Sequence, residues 1–273
     1  MHFYLCQDVR YKQSILGHNN SKLLKGLERF CVGYLEDIII FSDTWEDHLR
    51  HLKIVFTRIR EAGLTLNKKK CEFAVAELDY LGHHVGLGKV TPRQQKVEAL
   101  LKFPRPTTRK QLQSFLGLAS YYRKYIPHFA DLSANLSDML RKGVRFVWSE
   151  PAEKSFLDIK SRLASQPVLV PKNFSEPFII AVDASDIAIG AAQLQERDGL
   201  EQPICFLSRK LNAHQRKYST VEKEALALLI AVRTFSVYFG SAVVTVYTDH
   251  SPLQFLEHMA PHNAKLLRWS LEL

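Results

Sequence analysis

The sequence predicts a chain of mixed class, α+β in its first part and α/β in its last. Three observations predict it. Between residues 30 and 88, short runs rich in Ile, Val and Phe flank one amphipathic helical stretch. From Pro104 to about residue 165 the period is helical and punctuated by proline. From residue 177, three strand-like runs, a long helical run and a fourth strand-like run follow, the order of a small α/β domain.

Taken in order, residues 1–25 show no usable period. Residues 30–41 read as a hairpin whose tip carries two adjacent carboxylates, Glu36 and Asp37. Like charges side by side at a turn repel, so the pair is either a metal-binding element or a polar turn. "TWEDHLRHLKIVFTRIREAGL" (44–64) has helical period, with Trp45, Leu49, Leu52, Phe56 and Ile59 on one stripe and Gly63 as its stop. His48 and His51 lie three apart on this helix with no third ligand type nearby, which places them at the surface. "ELDYLGHHVG" reads as a second hairpin, and the adjacent His83 and His84 point to opposite faces of a strand.

Pro104 and Pro106 mark a boundary. "TTRKQLQSFLGLASYYRKYI" (107–126) is a helix capped by Thr107 or Thr108 and broken by Pro127. A further helix spans about 130–141, and "SEPAEKSFLDIKSRLAS" (149–165) starts with Ser149 as cap and Pro151 in the first turn. The strands are 177–185, 189–195, 203–210 and 242–249, with a helix over about 214–238.

The 273 residues suggest about two domains at ~150 residues each. With 46% hydrophobic and 24% charged residues, the chain can bury a core and is not of the disordered class. Four scattered cysteines without a C-x-x-C pair indicate neither a disulfide framework nor a zinc site. No apolar run approaches the ~18 residues of a membrane span. The net charge of +9 favours an anionic partner, a nucleic acid first. Residues 102–145 concentrate it, with nine Lys or Arg against Asp131 and Asp138, a net of +7. Aromatics interleave, which suits phosphate contact with stacking. The candidates are Arg105, Arg109, Lys110, Tyr122, Arg123 and Lys124. The same composition also describes a solvated basic face over an aromatic core.

Three acids of the α/β part stand where apolar elements do not welcome them. Asp183 interrupts "FIIAVDAS", Asp249 ends "VVTVYTD", and the long helix carries Glu222 and Glu224. Buried carboxylates are paired, hydrogen-bonded or metal-bound. Two on strands and one on a covering helix can converge at one end of a sheet and hold Mg²⁺, with Mn²⁺ as a substitute. The plainer alternative is that Asp183 caps a turn and Asp249 ends a strand.

Several blocks, in one order, are similar to a known family: "YLEDIIIFSDTWEDHLRHL", "AGLTLNKKKCEF", "YLGHHV", "FPRPTTRKQLQSFLGLASYYRKYIPHFA", "FVWSEPAEKSF", "FIIAVDASDIAIGAAQLQ", "SRKLNAHQRKYSTVEKEALALLIAV" and "VYTDHSPL". Over about residues 26–270 the chain resembles the reverse transcriptase–RNase H region of the pol polyprotein of gypsy-type long-terminal-repeat retrotransposons. The resemblance implies a polymerase palm fragment over 26–88, a thumb and connection gripping the template–primer duplex over 89–145, and an RNase H-like domain over 146–273. Residues 1–25 stay unassigned.

By the resemblance the RNase H acids are Asp183, Glu224 and Asp249, acting through Mg²⁺ on the RNA strand of an RNA–DNA hybrid. The helical wheel does not separate Glu224 from Glu222. The choice of Glu224 rests on the resemblance of "EALALLIAV" to the family block. Asp186 and His250 also match, as supporting residues. An intracellular product, cytoplasmic or nuclear, is implied.

The chain departs from the family in two places. The family hairpin reads Tyr-x-Asp-Asp, and its first Asp is a metal ligand. Here that position is Glu36, whose extra methylene displaces the carboxylate by roughly one bond, against metal–oxygen distances near ~2.0–2.1 Å. The family also has another palm Asp several tens of residues upstream, whereas Asp8 is the only acid before Glu28 and lies close to the hairpin. Glu36 and Asp37 therefore read as the relic of a polymerase site, and no DNA synthesis is expected. At the other end the chain stops at "LLRWSLEL", ahead of the family's fourth acid. Two readings follow: a ribonuclease of RNA–DNA hybrids, or a non-catalytic nucleic-acid-binding remnant of a decayed element.

Overall fold

The computed structural model describes residues 2–6, 10–11, 23–34, 37–165, 168–239, 244–249 and 264–270. The chain forms two compact units, Met1–Lys89 and Val90–Leu273.

In the first unit a four-stranded sheet runs β2-β3-β1-β4, with β1 His2–Cys6, β2 Cys31–Tyr34, β3 Asp37–Ser42 and β4 Cys71–Val75. The expected hairpin is present as β2 and β3, whose last pair is Tyr34 with Asp37. β1 lies centrally, antiparallel to β3 and β4. The sequence offered no signal for it, because a five-residue run set between non-local partners has neither alternation nor a hairpin turn of its own.

The run Ile38–Ile39–Ile40 is continuous because both faces of β3 are covered. Ile38 and Ile40 pack with Val55 and Ile59 of α1 (Trp45–Glu61). Ile39 packs with Leu78 on the opposite face. The second hairpin, β5 (Glu77–Tyr80) and β6 (His83–Gly86), turns through Leu81 and Gly82, both at positive φ (46° and 74°), the conformation a two-residue hairpin loop requires.

α1 starts where expected, since the Thr44 hydroxyl accepts from Asp47 N–H at 3.1 Å. Its buried stripe differs from the expected one. Trp45 and Leu49 are 45% and 51% exposed, while His48, Val55 and Ile59 are buried. The helix has turned to set Val55 and Ile59 against β3, which carries His48 inward. The expected surface role of His48 is thereby corrected. Its Nδ1 lies 3.2 Å from the Ser42 hydroxyl, and His51 Nδ1 lies 2.7 Å from the same oxygen with its ring stacked on Phe30. One buried hydroxyl serves two imidazoles, and no metal is needed to explain them.

The second unit begins with a helical block: α2 (Gln94–Leu101), α3 (Arg109–Tyr121), the short α4 (Phe129–Leu132) and α5 (Ala134–Asp138), and α6 (Glu150–Ala164). Thr108, not Thr107, is the cap of α3, its hydroxyl accepting from Gln111 N–H at 3.2 Å. The helix expected over 130–141 is two short ones meeting at Ser133. Leu100, Leu112, Phe115, Tyr122, Tyr125, Leu136, Phe156 and Ile159 form the block's core.

The sheet that follows runs β9-β8-β7-β10, with β7 Phe178–Ala184, β8 Ala188–Arg197, β9 Leu200–Lys210 and β10 Val244–Thr248. Helix α7 (Thr220–Phe239) covers one face, packing Leu226, Ile230 and Phe235 on Ile180, Val182 and Ile189. β7 and β8 are antiparallel, while β10 returns parallel to β7 with Val182 opposite Thr248. That parallel pairing places the C-terminal ends of β7 and β10 side by side. α8 (Ala264–Ser270) follows. Among the described residues no helix is long and apolar enough to cross a membrane.

Candidate metal centre

Asp183 is the sixth residue of β7, and Asp249 directly follows β10. The parallel register brings them together, and the first turns of α7 bring in Glu224. One oxygen from each of the three carboxylates lies within 4.8 Å of the others. Among the described residues this is the group of His, Cys, Asp or Glu side chains close enough together to share a cation.

The structure separates Glu224 from Glu222, which the sequence could not. Ser219 and Glu222 form a reciprocal cap: Ser219 N–H donates to Glu222 Oε2 at 3.0 Å and Glu222 N–H to the Ser219 hydroxyl at 3.3 Å. Glu222 Oε1 also accepts from Lys265 at 2.9 Å. Glu224, two residues on, is 3% exposed. Its Oε1 accepts from Ala184 N–H at 3.2 Å, and its buried Oε2 has no hydrogen-bond partner. Burial, followed by the charges of Asp249 and Asp183, pushes the Glu224 carboxyl up to about 7. A buried carboxylate oxygen without a donor beside two more carboxylates is costly as an empty anion cluster and fits a divalent cation with oxygen ligands.

Two neighbours brace the cluster. Lys223, 7% exposed, donates to Asp186 at 2.6 Å and holds that carboxyl below its ordinary range. This ties the start of α7 to the β7–β8 turn. His128 places Nδ1 3.5 Å from Asp183 Oδ2. Nothing in the sequence singled out His128, which follows the proline that breaks a helix. His250 lies outside the described residues.

Of the hairpin acids, Asp37 opens β3 opposite Tyr34, while Glu36 and Asp8 lie outside the described residues. In the basic segment the six candidates divide. Lys110 and Arg105 are exposed; Arg105 sits over the Trp148 ring at 5.5 Å and 3.6 Å from Glu153. Arg109 donates to the carbonyls of Arg141 and Val144, and Arg123 to the carbonyl of Ser208. Lys124 stands over the Tyr125 ring at 5.4 Å, partly buried. Tyr122 is corrected: at 1% exposure it is a core residue and has no face to offer a base. Of the aromatics here, Phe115, Tyr122 and Tyr125 are buried in the helical block, while Tyr121 is 50% exposed.

Residues 173–273 match the RNase H-like domain found in reverse transcriptase, and residues 9–85 match reverse transcriptase, the RNA-dependent DNA polymerase. The chain is 37% identical over 256 residues to the retrovirus-related Pol polyprotein from transposon 297 of Drosophila melanogaster, covering 93% of this chain and 24% of that protein. It is 33% identical to the transposon Tf2-3 polyprotein of Schizosaccharomyces pombe, over 92% of this chain and 19% of that one. The chain belongs to the reverse transcriptase–RNase H region of retrotransposon pol polyproteins.

This pol segment spans about a quarter or less of the length of the curated relatives it matches. Its fold is also that of foamy viral protease–reverse transcriptase. The structure of that protein in complex with an RNA/DNA hybrid gives a TM-score of 0.79 at 18% identity, covering 98% of this chain and 42% of that one. The complex with dsDNA gives 0.75 at 19% identity, covering 94% and 61%. The reverse transcriptase match starts at residue 9, so it includes much of the stretch for which the sequence pattern gave no assignment.

Proposed function

We propose that the pol segment hydrolyses the RNA strand of an RNA–DNA hybrid with Mg²⁺ held by Asp183, Glu224 and Asp249, Mn²⁺ serving as a substitute. Residues 26–88 are then a palm fragment, 89–145 the thumb and connection that hold the duplex, and 146–273 the RNase H-like domain. The observation that carries this reading is the convergence of the three carboxylates, with Glu224 buried and its Oε2 unpartnered. The matched RNase H-like family and the hybrid-bound foamy viral structure, as a protein of the same fold, support the substrate class.

The division of labour follows from burial. Asp183 and Asp249 are the accessible acids and face the substrate side. Glu224 is held from behind by the Ala184 amide, which fixes one oxygen and leaves the other for the cation. Bound Mg²⁺ supplies the Lewis acid that activates water and stabilises the leaving oxygen. Exposed Lys110 and Arg105 contact the phosphate backbone and set position without reading sequence.

Polymerase chemistry is not part of the proposal. The family position that carries the first Asp of the hairpin pair is Glu36 here, and a ~1 Å displacement of a reacting group costs about a hundredfold.

The test is cleavage of a labelled RNA–DNA hybrid by the purified chain with Mg²⁺, beside Asp183→Asn. Cleavage that the substitution abolishes supports the proposal. A folded chain that binds the hybrid in a salt-dependent way and never cleaves it is a non-catalytic binding remnant. A folded chain that does neither ends both readings.

A further inference from the structure

We infer that His128 is a positioning residue for the carboxylate cluster, its imidazole restricting Asp183 to the orientation in which it joins Glu224 and Asp249. The inference rests on the reading of these acids as cation ligands and adds a residue from the helical block to a site otherwise built from the sheet and α7.

Three observations converge on it. First, His128 Nδ1 lies 3.5 Å from Asp183 Oδ2. Second, His128 holds a left-handed backbone, φ 54°, uncommon for a residue with a β-carbon though more accessible to histidine than to most. Third, the residue beneath the imidazole is Gly190, the cross-strand partner of Asp183, and a β-carbon there would come within 3.2 Å of Nδ1. The sheet thus leaves room for this ring beside this carboxylate.

The segment around His128 is fixed on the same strands. Ile126 and Phe129 are buried on either side of it. Ala130 N–H donates to the Ser208 hydroxyl at 2.8 Å, and the Ser185 hydroxyl donates to Asp131 at 2.5 Å. Ser185 is two residues from Asp183, so the loop that carries His128 and the strand end that carries the acid are held as one piece. Groups that orient ligating carboxylates from outside the coordination sphere typically change metal affinity by about 10–100-fold when removed.

The test compares His128→Gly with His128→Asn in the full chain. Glycine accepts φ 54° without strain but offers no donor. Asparagine tolerates the same conformation and keeps an N–H donor. Mn²⁺ alone is the probe, with free Mn²⁺ read by electron paramagnetic resonance at one pH, and each variant is melted to check folding. The expected result is a loss of about tenfold or more in Mn²⁺ affinity for His128→Gly, near wild-type affinity for His128→Asn, and unchanged melting for both. Gly190→Ala, which crowds the imidazole, should also weaken Mn²⁺. If wild type binds Mn²⁺ and His128→Gly binds it equally well, or if Asn fails to rescue, His128 is only a backbone accommodation and the inference is overturned while the metal site stands. If wild type binds no Mn²⁺, the metal reading falls and this inference with it.

Discussion

The two acidic sites, Glu36–Asp37 in the first unit and Asp183, Glu224 and Asp249 in the second, are built in opposite ways. The first is local: two neighbours in sequence at the link between β2 and β3. The second draws one acid from each of three elements that span residues 178–249, and only the parallel return of β10 beside β7 brings them together. Nearness in sequence does not by itself bring the several oxygen ligands of a cation together. Convergent acids repel one another unless a cation sits among them, and the Glu224 carboxyl is raised by its burial first and by the charges of Asp249 and Asp183 second. The difference teaches that a carboxylate motif is read by what its elements bring together, not by how close its letters stand.

The largest expected effect separates the two sites directly. Asp183→Asn should lower hybrid cleavage by about a thousandfold, the scale of several kcal/mol of lost transition-state charge stabilisation. Glu36→Gln in the same assay should leave the rate unchanged. If Glu36→Gln lowers cleavage as Asp183→Asn does, the two sites are not independent and the comparison breaks.

A smaller effect sharpens the roles of the two glutamates on α7. Glu224→Gln keeps the shape and the acceptor for Ala184 N–H but removes the charge, so Mn²⁺ binding measured by titration should fall by more than the about 10–100-fold that loss of an outer-shell partner costs. Glu222→Gln should leave Mn²⁺ binding intact and cost the helix start about 1 kcal/mol or less in melting. Equal losses of Mn²⁺ affinity in the two variants would remove the distinction drawn from the Ser219 cap.

The same carboxyl makes stability depend on pH. Glu224 titrates at about 7 folded against 4.5 for a free side chain. Its neutral form favours the folded chain, so this contribution is full below about pH 4.5 and is lost as pH rises through about 7. Without divalent cation, the melting temperature should fall between about pH 5 and about pH 8. Saturating Mn²⁺ should reverse the fall, since the cation takes the charged form, and Glu224→Gln should flatten the profile. A flat wild-type profile would mean that Glu224 is not held buried beside two like charges.

Much of this was legible in the sequence because it is local. The helical period over 44–64 and the threonine cap at 107 or 108 are local signals, and Asp183 and Asp249 stand out as acids at the ends of apolar strands. What was not legible depends on partners far along the chain. β1 is a strand because β3 and β4 flank it, and His48 is buried because Val55 and Ile59 face β3. Tyr122 looks like a stacking residue until the helical block closes over it. Glu222 was an avoidable ambiguity: "STVE" at 219–222 carries the Ser-x-x-Glu spacing of a reciprocal cap, which assigns that glutamate to the helix start and leaves Glu224 for the cluster. His128 had no such signal, since its place beside Asp183 exists only once the helical block lies against β8 and β9.

The smallest expected effect is a restoration that restores nothing. Glu36→Asp gives the hairpin the family's residue and withdraws the carboxylate by roughly one methylene, the right direction for a ligand set near ~2.0–2.1 Å from a cation. Primer extension on a template–primer duplex should nonetheless stay at background. Side-chain length is only one requirement. The second unit shows the other, since its cluster exists because strands and a helix distant in sequence meet at one point. Asp37 stands in none of the convergent ligand groups among the described residues, which do not include Glu36 or Asp8. Correcting the length of one ligand does not by itself assemble the others that a cation needs. Extension above background by Glu36→Asp would show that the hairpin needs only its length repaired, and that it is a damaged site and not a relic.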